Sequence, residues 1–172
     1  MMRTKMRIFT VIVLLLSLFA CGRKYKNVSL EKEGTEYKIA DLASFYYPKD
    51  YELDTKSDNQ QIVRFIKAEE VVFYTTILDD TDNQLDDLPE LYAGQLEEDG
   101  AQDVAFKNIR LKSGLNCQEF TGRYTSTGIK FEHMVYFTDT ATYVLAYQAP
   151  EKFYDENIHV VNQFLESLTV HH

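Results

Sequence analysis

The 172 residues carry 27 acids against 18 lysines and arginines, a formal net charge of −9, with 45% hydrophobic and 13% aromatic residues and two cysteines. That apolar content can bury a real core and excludes a disordered tail. The acidic balance excludes nucleic acid as a partner, because phosphates need a basic footprint.

The chain opens with Arg3, Lys5 and Arg7, followed by an apolar run from Ile8 to Ala20 broken only by Thr10 and Ser17. A basic start, an apolar stretch of that length and a small residue at its end describe a secretory signal. The run falls short of the ~20 apolar residues that a transmembrane helix needs. Leu18-Phe19-Ala20-Cys21 resembles the bacterial lipobox, although Phe19 is bulkier than usual at its position. The resemblance implies that the Cys21 thiol receives a diacylglyceryl group and that cleavage leaves Cys21 as the new N-terminus. Two acyl chains, at about 0.8 kcal/mol per CH₂, anchor a protein stably where one would not. The alternative is a plain signal peptide cut after Ala20. Residues 1–20 are therefore read as a lipoprotein signal peptide, 21–35 as a lipidated flexible tether and 36–172 as one folded domain. The expected location is extracytoplasmic, held to the cell membrane by lipid on Cys21.

Beyond the tether, Tyr37 to Asp41 reads as a first short element, and Phe45-Tyr46-Tyr47-Pro48 opens the fold ahead of a turn at Lys49-Asp50. Gln61–Lys67 alternates as a strand. Val71–Leu78 is β-branched and aromatic on both sides, which predicts a central strand covered on both faces. Leu85, Leu88, Leu91, Tyr92 and Leu96 recur at helical spacing, with Pro89 allowed only in the first turn and Asp99-Gly100 as the stop, so a helix spans about 84–99. Four strands follow as a meander over Val104–Leu111, Leu115–Tyr124, Ile129–Phe137 and Thr142–Gln148. Pro150 begins a last helix, to about 168, with a stripe at Tyr154, Ile158, Val161, Leu165 and Leu168.

The expected class is α+β, a mainly antiparallel sheet flanked by helices. This element order, with Tyr47-Pro48 near the start, Gly114-Leu115 opening a strand and Phe164-Leu165-Glu166-Ser167-Leu168 at the end, resembles the PsbP/Mog1-like α/β/α sandwiches over about residues 36–170. The resemblance implies a non-catalytic accessory or binding module, with no shared catalytic residues to carry across.

The residues that could carry chemistry are few. With Cys21 acylated, Cys117 lacks a partner, and with His133 on a neighbouring strand it could form a thiol–imidazole pair. Cys117 lies inside a strand with no activating turn or helix N-terminus, which favours a buried hydrophobe. His133 shares its face with Val135 and Phe137 and reads as a core histidine. Glu119, Glu132 and His133 could be considered for a metal, but Glu132 and His133 alternate onto opposite faces. Asp79, Asp80, Asp82, Asp86 and Asp87 lack the glycine and the bidentate glutamate of a calcium loop and suit the positive end of the following helix. Tyr136, Tyr143 and Tyr147 fall on adjacent strands, as core or as a binding face. The reading is no enzyme, no cofactor, no metal and no catalytic residue. What remains is a binding or accessory module acting on an envelope protein partner or other ligand, with the membrane engaged through Cys21. The alternative is a thiol-dependent enzyme or redox protein using Cys117 with His133.

Overall fold

The computed structural model describes residues 27–56, 62–78 and 85–171. The signal segment, Cys21, Asp79, Asp80 and Asp82 lie outside them. A helical turn, α1 (Leu30–Glu33), leads into β1 (Gly34–Ile39), β2 (Ala43–Pro48) and a two-residue β3 (Glu52–Leu53). Next come β4 (Ile62–Lys67), β5 (Glu70–Leu78), a 3₁₀ turn at Leu85–Asp87, and α2 (Leu88–Glu98). The meander is β6 (Gln102–Arg110), β7 (Asn116–Tyr124), β8 (Ile129–Phe137) and β9 (Ala141–Pro150), and α3 (Glu151–Leu165) and β10 (Thr169–Val170) close the chain.

The strands form two antiparallel sheets. The larger has the order β3-β4-β5-β9-β8-β7-β6 and the smaller β1-β2-β10. The smaller sheet and α3 cover one face of the larger; α2 lies on the other. The two faces hold separate cores. Phe45, Phe65, Val72, Met134, Leu145, Tyr147, Leu165 and Leu168 meet on the α3 side. Leu96, Phe120, Phe131, Val135, Val144 and Ala146 meet on the α2 side. This is the α+β arrangement, a mainly antiparallel sheet flanked by helices, that the strand periodicity and helix stripes predict.

Three expectations shift. The last helix ends at Leu165, because Leu168 turns into the core and Thr169–Val170 then pairs with Ser44 and Ala43. The segment assigned to the end of the tether packs on the domain: the Val28 amide donates to Gln163 Oε1 at 2.9 Å, and Gly34 already pairs with Pro48. Finally, β5 is sealed on one face only. Val72 and Tyr74 are buried toward α3, whereas Val71 and Phe73 toward α2 stay partly exposed.

The chain also departs from regular pairing at one edge. Between Gln102 and Ala105 the register of β6 shifts against β7, and Asp103 sits in the left-handed region at φ +54°. This bulge turns the Asp103 carboxylate onto Arg123, at 2.7 Å.

Candidate functional site

The sheet separates the two residues singled out as a thiol–imidazole pair. Cys117 is on β7 and His133 on the adjacent β8, but Phe120, not Cys117, lies opposite His133. Alternation puts Cys117 in the core under α3 and His133 among the aromatics under α2. Each is held in its neutral form. Burial pushes the Cys117 thiol up to about 12 and holds the His133 imidazole down at about 3, so both stay neutral at physiological pH. His133 Nδ1 shares a 2.9 Å hydrogen bond with the Tyr92 hydroxyl, and Phe73, Tyr92 and Phe131 surround the ring. It is a satisfied core histidine.

The same alternation divides Glu132 from His133, and brings Glu119 and Glu132 together on the α3 face. Glu119 lies directly opposite Lys107 and accepts a 2.6 Å ion pair from it. Glu132 is two residues along β8 from Met134, the residue facing Glu119. Its Oε2 accepts from the Tyr154 hydroxyl at 3.3 Å, while its Oε1 has no hydrogen-bond partner. Burial first, and then the Glu119 carboxylate, push Glu132 up to about 7. Among the described residues no group of three or more His, Cys, Asp or Glu is arranged to hold a metal ion.

Beside Tyr154 a cleft of about 360 Å³ opens at the start of α3, lined by Asp103, Thr121, Arg123, Lys130, Glu151 and Tyr154 among others. Arg123 and Lys130 face each other across β7 and β8, a like-charge pairing that is unfavourable by itself. Acids from two other elements offset it. Asp103 holds Arg123, and Glu151 and Asp155 each sit 2.9 Å from Lys130. Both cations are already paired, so the cleft is a polar junction rather than an open anion site.

Sequence reading missed a second polar centre under α3. Glu70 Oε2 accepts from Tyr147 Oη at 2.6 Å, Tyr51 Oη at 2.8 Å and Asn157 Nδ2 at 3.0 Å. These donors come from the β2–β3 turn, β9 and α3, so one carboxylate ties the larger sheet and the turn after β2 to the helix. Glu70 reads as part of a turn in the sequence, yet it keeps the two-residue phase of Val72 and Tyr74, and that phase was the available signal. Tyr136 and Tyr143, 6.1 Å apart, are half-buried, and Tyr147 is fully buried, so this trio belongs largely to the core.

No family model matches the chain, and no curated protein matches it. Solved structures do. The cyanobacterial PsbP (CyanoP) from Synechocystis sp. PCC 6803 aligns with a TM-score of 0.56 at 14% identity, over 90% of this chain and 99% of that one. The fold is PsbP-like. LpqN, a Mycobacterium tuberculosis protein involved in cell envelope biogenesis, shares it with a TM-score of 0.53 at 15% identity, over 88% of this chain and all of that one. At these identities the likeness is one of architecture. The PsbP-like sandwich explains why the two cores and the two helices occupy opposite faces.

Proposed function

We propose that this chain is an extracytoplasmic accessory module, anchored to the membrane by lipid on Cys21, that works by binding an envelope partner and not by catalysis. The observation that carries this reading is the separation of Cys117 and His133 by the sheet, each neutral and buried in its own core. The PsbP-like fold supports it, since one protein of that fold, LpqN, is involved in cell envelope biogenesis. The anchor rests on Leu18 to Cys21 and on the tether that follows. An acyl anchor would hold the domain within roughly 15 Å of the bilayer, because only about six residues, 22–27, separate Cys21 from the packed Val28. That range favours a membrane-associated partner over a diffusing substrate.

Two experiments test it. Labelled palmitate is expected on the wild-type chain and not on Cys21→Ala; equal labelling rejects the anchor. Folded protein is expected to leave Cys117 unreactive toward a thiol reagent at neutral pH. Rapid modification of the native thiol would restore the thiol-enzyme reading.

A further inference from the structure

The sequence places apolar residues on both faces of β5, and the fold seals one. Toward α3, Val72 and Tyr74 are buried. Toward α2, Val71 and Phe73 are partly buried and Ile77 is 48% exposed; Ile62, Arg64 and Ile66 of β4 share that face, with Arg64 opposite Phe73 and 3.6 Å from Asp54. Helix α2 packs on β6, and its Tyr92 covers Phe120 of β7 and Phe137 of β8, leaving the β4–β5 half of that face open. Where α2 begins, Leu85 is 44% exposed and Leu91 51%.

Arg64 is held by Asp54, and the helix beside this surface is acidic. Between Lys67 and Lys107 the chain has no lysine or arginine, yet it holds twelve of the 27 acids, among them the exposed Asp86, Asp87, Glu90, Glu97 and Glu98 of α2 and its lead-in. An apolar floor beside an acidic helix matches one chemistry. We propose that the open β4–β5 face, alongside α2, docks an amphipathic helix of a partner protein whose flanks carry lysine or arginine. The proposal rests on the binding-module reading and gives that reading its surface. Strands β4 and β5, each occupying 4.7–4.9 Å of the sheet, present a strip roughly 10 Å wide, the width of one helix. A second helix beside α2 would complete the layer, in the helix-in-groove mode of recognition. The acids set the sign: an anionic bilayer is repelled, and a second copy of this chain would bring the same acids against themselves.

The test places the photo-crosslinking residue p-benzoylphenylalanine at Phe73 or Ile77 of the full chain in intact cells, with Lys38 on β1 and Thr121 in the cleft as controls. The expected product is a covalent adduct from Phe73 and Ile77 to a peptide with apolar residues at i, i+3, i+4 spacing and net positive charge, read by mass spectrometry. Ile77→Lys, Leu91→Lys and the triple reversal E90K/E97K/E98K alter exposed positions and should keep the native circular dichroism while cutting the adduct at least tenfold. Adducts to lipid, to another copy of this chain or to an acidic segment overturn the proposal, as does an adduct insensitive to these substitutions. Adducts confined to Lys38 or Thr121 move the binding surface elsewhere and leave the binding-module reading standing. Absence of adducts from every position rejects both.

Discussion

Glu70 and Glu132 are both buried carboxyls on the same face of the same sheet, both beneath α3. Glu70 receives three side-chain donors from three separate elements, whereas Glu132 receives one long hydrogen bond and leaves an oxygen bare. The difference lies in the supply of donors, not in depth. Burial of a carboxyl is stabilising when the chain delivers hydrogen bonds to it and costly when it does not.

Removing the well-supplied member should do the most damage. Glu70→Ala strands the Tyr51 and Tyr147 hydroxyls and the Asn157 amide, and is expected to cost about 3 kcal/mol or more, since each buried donor left without its acceptor costs roughly 1–3 kcal/mol. Urea unfolding measures it; a loss below about 1 kcal/mol would break the contrast. Removing the poorly supplied member should do the reverse. Glu132 ionises at about 7 in the folded protein and near its ordinary 4.5 when unfolded. The native state therefore binds the extra proton, and stability falls as pH rises from 4.5 through 7. Glu132→Gln removes that fall and should gain on the order of 2 kcal/mol at pH 8, with little change at pH 4. A variant less stable than wild type at pH 8 would show that the Tyr154 contact outweighs the desolvation.

His133 sharpens the comparison with a group of opposite sign on the other face. Its folded value is held near 3, below the ordinary 6.5, by burial. Stability from its neutral form is present above 6.5 and lost as pH falls toward 3. His133→Gln should flatten that acid limb while leaving the Glu132 limb in place, as denaturation midpoints across pH would report. A smaller effect is expected from Gly122→Ala. The added Cβ would come within 2.5 Å of Phe131 Cζ, an overpacking expected to cost about 1 kcal/mol, the low end of the usual range. A neutral outcome in melting temperature would mean that the aromatic packing beneath α2 gives way.

Much of the architecture was legible because it rests on short periods. Strict alternation over Ile129–Phe137 gives β8 its two faces, and with them the separation of Glu132 from His133. Pro89 and Pro150 mark the starts of both long helices. What the sequence did not disclose depends on contacts across long separations. Tyr51 and Asn157 reach Glu70 from 19 and 87 residues away, and no local pattern announces that meeting. The apolar run of β5 correctly predicts a strand inside a sheet, but how far α2 extends across the sheet is a matter of packing, so its open face was misread as covered. The Asp103 bulge was equally hidden, because the shift exists only relative to β7.

That bulge has a bearing on solubility. β6 is the last strand of its sheet, nine residues long and exposed along most of its length. A flat edge of that length invites pairing with the edge of a neighbouring molecule, the first step toward fibrous aggregates. The twist at Asp103 interrupts the row of backbone donors and acceptors near one end, and Lys107 and Arg110 place charge along the remainder. The kink that aims one carboxylate at Arg123 thus also keeps crowded copies of the protein from knitting together edge to edge.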